Sequence, residues 1–266
     1  MTTVSAQPAT VALFISDLHL APSRQKTTRA FFDFMRNRAL QAQQLYLLGD
    51  LFEAWPGDDD LTTPWNQTIV RAIRAVSDAG VKVFWIGGNR DFLIGSKFAS
   101  AAGLTLLSDV HVLVINGQRI VLAHGDAQCT NDRSYMAFRA KTHNLFLQKL
   151  FLSLPLALRK MIVDGVRNKS RKSKQGKQEM TMDVSPQAID ALFVATGTSM
   201  MIHGHTHLPA RHDSSDGKRI RYVLPDWECE YKPERGGWIA LFSDRSIRRF
   251  DIKGRMITKY PNDQQH

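Results

Sequence analysis

The stretch Val11-Ala-Leu-Phe-Ile-Ser-Asp-Leu-His19 joins a short apolar run to two polar side chains that can bind metals. The run from Val11 to Ile15 has the length of a buried strand, and Asp17 and His19 follow it directly. In open α/β sheets, the residues that build a site lie just beyond the carboxyl ends of the strands. This stretch therefore predicts an α/β domain with a functional site at one edge of its sheet.

Apolar runs of strand length recur on the carboxyl side of this stretch, and helical spacing separates several of them. Helices are predicted around Phe31, Phe34 and Met35, and around Ile69, Ile73 and Val76. The further predicted strands are Leu45 to Leu48, Val81 to Ile86, Val112 to Ile115, Ile120 to Ala123, Ile220 to Leu224, Trp238 to Phe242 and Ile247 to Phe250.

This strand pattern is interrupted in the middle of the chain. From about Tyr135 to Val166 the sequence is rich in Leu, Phe, Met, Arg and Lys, and no strand pattern returns before Met200. We therefore predict a helical insertion at residues 125–185, within one α/β domain formed by residues 1–124 and 186–266. Pro155 should break the helical pattern, because proline cannot continue a helix.

The 266 residues carry 35 Lys and Arg against 25 Asp and Glu, a net charge of +10. This excess favours an anionic partner. The two cysteines, Cys129 and Cys229, lie a hundred positions apart, which suggests neither a disulfide framework nor a thiolate zinc site and fits a reducing cytosol. We recognise no signal peptide in the first ten residues, and no apolar run is long enough to span a bilayer.

Five polar clusters follow predicted strands. They are Asp17-Leu18-His19, Gly49-Asp50, Gly88-Asn89-Arg90-Asp91, His124-Gly125-Asp126 and Gly204-His205-Thr206-His207. Mixed oxygen and nitrogen donors of this kind suit Mn²⁺, Fe²⁺ or Zn²⁺. The two-residue period of an extended chain would place Asp17 and His19 on one side of their segment. It would likewise place His203, His205 and His207 on one side of theirs. The alternative is a set of histidines that bond only to the backbone.

The order of these clusters resembles that of the calcineurin-like metallophosphoesterase superfamily. The resemblance implies a four-layer α/β/β/α sandwich that holds two metals bridged by Asp50, with catalytic roles for Asp50, Asn89, Arg90 and His124. His203 lies outside the matching motif, so we interpret it as a supporting residue. The implied ligands are Asp17, His19, Asp50 and His207 for one metal, and Asp50, Asn89, His124 and His205 for the other.

Arg90 departs from many members of that superfamily, which have histidine there. An arginine does not donate a proton near neutral pH, but it can bind a phosphate through two nitrogens. This favours a leaving group that needs no protonation, such as the phosphate released from a phosphoanhydride. A purely structural role for Arg90 is the alternative.

The predicted insertion combines apolar and basic residues. Leu145 opens an apolar stretch, and eight basic residues between Arg159 and Lys177 are opposed only by Asp164. One interpretation is a helical hairpin with its own core and a solvated face. The other is a lobe that holds acyl chains beside anionic lipid headgroups. Nucleic acid is disfavoured, because aromatic residues do not alternate with the basic ones.

Three segments, G-N-R-D, H-G-D-A-Q-C-T-N-D-R-S-Y and M-D-V-S-P, make the chain similar to the UDP-2,3-diacylglucosamine pyrophosphatase family of lipid A biosynthesis. The resemblance implies a peripheral enzyme on the cytoplasmic face of the inner membrane that uses two Mn²⁺, with Fe²⁺ or Mg²⁺ left open. Water activated by the two metals would attack the α-phosphorus of UDP-2,3-diacylglucosamine and release UMP and 2,3-diacylglucosamine 1-phosphate (lipid X). The insertion would bind the acyl chains. The implied substrate contacts are Asn89, Arg90, Asp132, Ser170, Lys174, Lys177 and His205.

Two alternatives remain open at this point. One is a dimetal phosphodiesterase or pyrophosphatase that acts on a soluble nucleotide. The other is a non-catalytic scaffold that binds membranes or nucleic acid through the basic segment. For the leading hypothesis we expect a monomer that has the anionic membrane surface, and no nucleic acid, as its partner. The roles of Asn131, where we would expect aspartate, and of Lys174 are not fixed by the sequence.

Overall fold

The structure is a computed structural model that describes residues 8–174 and 183–263, without the side chains of 168–174. Its helices are α1 (Gln25–Asn37), α2 (Pro64–Asp78), α3 (Ser96–Ala102), α4 (Arg133–Thr142), α5 (Leu145–Leu152), α6 (Leu156–Lys174) and α7 (Pro186–Thr196). Its strands are β1 (Thr10–Ile15), β2 (Gln44–Leu48), β3 (Lys82–Ile86), β4 (Leu104–Leu106), β5 (Val110–Ile115), β6 (Gln118–Ala123), β7 (Met200–His203), β8 (Ala210–Asp213), β9 (Ile220–Val223), β10 (Gly237–Phe242), β11 (Ile247–Asp251) and β12 (Met256–Ile257).

The strands form two sheets. The first has the order β12-β11-β10-β1-β2-β3-β4, and the second has the order β5-β6-β7-β9-β8. Neighbouring strands from β1 to β4 are parallel, as are β6, β7 and β9, whereas β10 pairs antiparallel with β1. The carboxyl ends of the parallel strands in each sheet therefore point the same way along that sheet.

The two sheets pack against each other and are covered by helices on their outer faces. Phe14 and Tyr46 of the first sheet share a buried cluster with Leu122 and Ile202 of the second. The outer face of the first sheet packs against α1, α2 and α3. The outer face of the second packs against Ile189 and its neighbours in α7. This arrangement is the predicted four-layer α/β/β/α sandwich.

Burial on both faces explains why β1 is a continuous apolar run. Leu13 and Ile15 point to the cluster beneath the helices, and Ala12 and Phe14 point to the cluster between the sheets. A strand with one solvated face would alternate apolar and polar residues instead. The predicted strands are confirmed to within about two residues at their ends.

The predicted insertion contains α4, α5 and α6, which we call the cap helices. The helix break predicted at Pro155 is confirmed, because α5 ends at Leu152 and α6 begins at Leu156. Leu145, Phe146 and Met161 of these helices are exposed. The limits of the insertion at residues 125 and 185 stay predictions.

Candidate metal centre

Every predicted metal ligand lies directly after a strand, at one end of the two sheets. Asp17 and His19 follow β1, Asp50 follows β2, and Asn89 follows β3. His124 follows β6, while His205 and His207 follow β7. Because β1, β2 and β3 are parallel, as are β6 and β7, their loops bring these side chains to one place.

The first group of donors contains Asp17, His19 and His207, whose candidate ligand atoms all lie within 4.8 Å of one another. The His207 Nε2 is 3.2 Å from the His19 Nε2 and 3.4 Å from the Asp17 Oδ1. The Asp50 Oδ2 lies 3.9 Å from the His19 Nε2. These atoms converge on a position that one cation could occupy.

The second group contains Asp17, Asp50 and His124 within the same limit. The His124 Nε2 lies 3.6 Å from the Asp50 Oδ1 and 3.1 Å from the Asn89 Oδ1. The His205 Nδ1 lies 3.0 Å from the same Asn89 oxygen. Asp50 thus stands between His19 and His124, where a carboxylate can bridge two cations.

The backbone at these positions is unusual. Among the described residues other than glycine, seven have φ in the left-handed region, and five of these seven are predicted metal ligands. They are Asp17 (φ 55°), His19 (49°), Asp50 (54°), His205 (69°) and His207 (57°). Such φ values are rare for residues that carry a Cβ, and they concentrate at functional sites. The prediction of an extended chain through Asp17 and His19, and through His205 and His207, was therefore wrong: sharp turns direct these side chains.

Two glycines let the loops close around the carboxylates. A Cβ at Gly88 would overlap the Asp50 carboxylate, and a Cβ at Gly204 would overlap the Asp17 carboxylate. Neither overlap can be relieved by a long flexible side chain, because each carboxylate is buried. The loops after β3 and β7 therefore need glycine at these positions.

The donors suit divalent cations. The Asp17 carboxylate is fully buried, and its Oδ1 has no hydrogen-bond partner within the described part of the chain. Burial by itself raises the pKa of Asp17, but the His207 ring, whose Nε2 lies 3.4 Å from that Oδ1, and the other nearby histidines hold the pKa well below its usual range. Burial lowers the pKa of His205 to about 3, which keeps that ring neutral and able to ligate. A buried ionised carboxylate near a neutral imidazole is a fitting donor set for a metal.

Asp91 stabilises the loops that carry Asp50 and Asn89, a role that the sequence interpretation missed. Its carboxylate accepts hydrogen bonds from the backbone N–H groups of Leu51 (2.7 Å), Gly88 (3.0 Å) and Asp50 (3.2 Å). It thereby joins the loop after β2 to the loop after β3. The signal available in the sequence was its place at the end of the Gly88-Asn89-Arg90-Asp91 cluster.

His203 is buried outside the ligand cluster. Its Nδ1 lies 2.8 Å from the Gly204 carbonyl oxygen, and its Nε2 lies 3.0 Å from an Arg221 nitrogen. Burial, together with the charge of Arg221, lowers its pKa well below the usual value. These contacts support the loop that carries His205.

Arg90 and the cap helices border the cluster. The Arg90 backbone N–H donates to the Asp50 Oδ1 at 2.8 Å, so this residue lies directly beside the predicted bridge. Asp126 accepts hydrogen bonds from the Tyr135 hydroxyl (2.6 Å) and the Arg139 Nε (2.8 Å) of α4. The centre of the Tyr135 ring lies 5.8 Å from the centre of the His205 ring. The sequence interpretation did not identify this proximity.

Of the remaining predicted substrate contacts, the structure describes the side chain of only one, Asp132. Asp132 caps the start of α4 by accepting a hydrogen bond from the Tyr135 backbone N–H at 2.9 Å. Ser170 and Lys174 lie in α6, but their side chains are outside those described, and Lys177 lies outside the described residues. The substrate roles of all four residues stay predictions.

Comparison with known proteins gives consistent results. Residues 11–209 match the family described as calcineurin-like phosphoesterase. Over 220 residues the chain is 46% identical to the UDP-2,3-diacylglucosamine hydrolase of Serratia proteamaculans, covering 82% of this chain and 91% of that protein. The enzyme of the same name from Proteus mirabilis is 47% identical over 88% of this chain and 95% of its own length. That from Aliivibrio fischeri is 43% identical over 91% of this chain and 99% of its own length.

Proposed function

The chain belongs to the calcineurin-like phosphoesterase family, and we propose that within this family it hydrolyses the diphosphate of UDP-2,3-diacylglucosamine in lipid A biosynthesis. The products are UMP and 2,3-diacylglucosamine 1-phosphate. The observation that carries the proposal is identity of 43% to 47% with enzymes of that name over nearly their whole lengths. The soluble-nucleotide and non-catalytic alternatives are not favoured, because these relatives are named as hydrolases of the acylated nucleotide sugar.

Members of this family depend on two metals, and the donor set described above fits that requirement. We propose two Mn²⁺, with Fe²⁺ or Mg²⁺ as substitutes, held by Asp17, His19, Asp50 and His207 and by Asp50, Asn89, His124 and His205. When bound, such ions lower the pKa of water and neutralise charge on phosphate oxygens. The buried carboxylates and the histidines of the chain would hold the ions at fixed positions.

Arg90 is well placed to bind the diphosphate. Its backbone is fixed by the Asp50 carboxylate, and its guanidinium is about four-fifths buried, with its Nε unpaired among the described residues. A guanidinium donates to two phosphate oxygens at once and stays charged throughout the reaction. In this proposal Arg90, Asn89 and His205 orient the diphosphate, and the phosphate that leaves needs no proton.

The cap helices supply the lipid part of the proposal. We propose residues 125–185 as the cap insertion and residues 1–124 and 186–266 as the catalytic core. Leu145, Phe146 and Met161 are each exposed by more than 70%, which is unusual for several large apolar side chains in one small lobe. None of the described helices is both long enough and apolar enough to cross a membrane. We propose that the protein binds peripherally to the cytoplasmic face of the inner membrane, where its substrate is dissolved in the bilayer.

Purified protein loaded with Mn²⁺ should convert UDP-2,3-diacylglucosamine to UMP and lipid X, and Asp50→Ala should abolish the reaction. In ¹⁸O-labelled water the label should enter UMP, because the α-phosphorus is the one attacked. Deacylated UDP-glucosamine should react far more slowly, since the acyl chains supply binding energy that positions the diphosphate. Absence of cleavage by protein with verified metal content, or equal rates for the two substrates, contradicts the proposal.

A further inference from the structure

The Glu53 carboxylate lies between the candidate metal centre and α6. Glu53 follows β2 by a few residues, and its backbone N–H donates to the Leu20 carbonyl oxygen at 3.0 Å. This bond fixes it beside the loop that carries His19. Its side chain is only 14% exposed.

Groups from three different segments lie within 4.0 Å of the Glu53 carboxylate. Arg167 of α6 donates to its Oε1 at 2.7 Å, and the Arg90 Nη1 lies 4.0 Å from the same oxygen. The other oxygen, Oε2, lies 3.5 Å from the His19 Nδ1. The carboxylate therefore joins the loop after β1, the loop after β3 and a cap helix.

The contact with His19 has the geometry of a supporting interaction at a metal site. The Nε2 of His19 faces Asp50 and His207, which leaves the opposite nitrogen, Nδ1, to determine the ring orientation. That Nδ1 is buried and has no hydrogen bond in the described part of the chain, and the Glu53 oxygen is the acceptor beside it. Histidines that bind metals almost always donate their second N–H to a carboxylate, carbonyl or water, which fixes the ring.

The contact with Arg167 attaches α6 near the metal centre. The first turns of α6 are tied to the core by Arg159, which donates to the Pro56 carbonyl oxygen and to Asp59, and by Lys160 with Asp60. Arg167 lies two turns further along the helix. Within the described part of the chain, Arg167 also pairs with Asp164 of the same helix, at 3.5 Å, and this pair is largely exposed to solvent on the Asp164 side.

We propose that Glu53 is a positioning residue that orients His19 towards the metal and, through Arg167, holds α6 beside that metal. This inference rests on the proposed function in one respect, because it takes His19 as a metal ligand. The consequence is a direct link between the cap helices and the metal centre. Loss of this one carboxylate should weaken metal binding and loosen α6 at the same time.

The first test measures Mn²⁺ binding without substrate. Glu53→Gln removes the negative charge that strengthens the interaction with the His19 Nδ1–H, so it should weaken Mn²⁺ affinity by about 10-fold, at the lower end of the usual effect of altering a supporting partner. Asp164→Asn is the matched control, because it removes one negative charge beside the same arginine at the surface, and it should change affinity by no more than about twofold. Unchanged Mn²⁺ affinity in a folded Glu53→Gln protein, as judged by circular dichroism, overturns the proposal.

The second test follows α6 by amide hydrogen exchange in the Mn²⁺-loaded protein. Glu53→Gln and Arg167→Met should both speed exchange in the turns around Arg167, whereas Asp164→Asn should not. Arg167→Met keeps the His19 contact, so it should leave Mn²⁺ affinity within about threefold of the wild-type value. If Arg167→Met leaves exchange unchanged, the link to α6 is refuted even if Glu53→Gln does not fold.

Neither measurement uses UDP-2,3-diacylglucosamine, so the inference and the proposed function can fail separately. Weaker Mn²⁺ binding by Glu53→Gln supports the inference even if the wild-type protein does not cleave that substrate. Conversely, a wild-type protein that cleaves it, together with a Glu53→Gln variant that binds Mn²⁺ normally, overturns the inference alone.

Discussion

Individual residues at the metal centre adopt backbone conformations that cost free energy. Five predicted ligands have left-handed φ, at a cost of about 1–3 kcal/mol each where the surroundings impose it. Asp91 offsets part of this cost, because its buried carboxylate accepts hydrogen bonds from four backbone N–H groups of the adjoining loops. The geometry that brings the predicted ligands together is thus supported by a residue that is not itself a predicted ligand.

At Gly88 we expect even a methyl group to disrupt the centre. The Cβ of Gly88→Ala would overlap the Asp50 carboxylate, so Asp50 or the loop must move and Mn²⁺ binding should be lost. Gly165→Ala is the control: Gly165 is in α6, and its added Cβ would meet nothing within 4 Å. That control should bind Mn²⁺ normally and gain up to about 1 kcal/mol in stability. Calorimetric Mn²⁺ titration and urea unfolding measure the two effects, and normal Mn²⁺ binding by Gly88→Ala would contradict this account of the loop.

Asp263 should make the stability of the fold dependent on pH. Its carboxylate accepts hydrogen bonds from Arg249 at 2.7 and 2.9 Å and from the Arg211 backbone N–H at 2.7 Å. Burial acts to raise the pKa of Asp263, but these hydrogen bonds hold it below the usual value. The stabilisation is therefore fully present above the unfolded pKa of about 4 and is lost as pH falls through the folded value.

Urea unfolding should show Asp263→Asn to be about 1–3 kcal/mol less stable than wild type near neutral pH. The difference should shrink as pH falls below about 4. Asp190→Asn, which breaks the largely exposed ion pair with Arg219, should change stability by less than about 1 kcal/mol at any pH. A deficit for Asp263→Asn that stays constant down to the lowest measurable pH would refute the assignment.

At the scale of elements, α6 depends on a buried arginine near its start. Arg159 is 2% exposed and donates to the carbonyl oxygens of Leu154 and Pro56. Arg159→Met keeps much of the side-chain volume but leaves these carbonyls unpaired, at a cost of about 1–3 kcal/mol each. We expect faster proteolysis within the cap helices and a higher KM for the acylated substrate, with the KM for deacylated substrate unchanged. Equal KM changes for both substrates would show that Arg159 acts outside lipid binding.

The sequence predicts elements well where burial alone specifies them. β1 and β2 are buried on both faces and read as apolar runs, and Pro155 marks a helix break by its own chemistry. The sequence does not predict β8 (Ala-Arg-His-Asp), because this short, polar edge strand is stabilised by pairing with β9. The left-handed turns at the ligands and the position of Glu53 depend on contacts between distant loops, which no local pattern encodes. The sequence therefore identifies candidate ligands, whereas the directions in which their side chains point depend on the folded loops.

At the scale of the whole molecule, net charge and exposed apolar side chains predict how the protein binds to a bilayer. The chain carries a net charge of +10, and Leu145, Phe146 and Met161 of the cap helices are exposed. Each basic residue near an anionic surface contributes about 1 kcal/mol and is screened by salt, whereas apolar insertion is not. Binding should therefore have one component that depends on salt and one that does not.

Sedimentation with vesicles separates these two components. The protein should bind phosphatidylglycerol-containing vesicles more tightly than pure phosphatidylcholine vesicles, and added salt should remove most of that preference. A Leu145→Ser, Phe146→Ser double variant should lose the salt-resistant binding but keep the preference for anionic vesicles, because its charge is unchanged. Val114→Ser is the matched control, since Val114 is 63% exposed on β5, outside the cap helices, and its substitution should not change binding. If the double variant and the control bind alike, the exposed apolar side chains of the cap helices do not insert into the bilayer, and net charge alone determines the association.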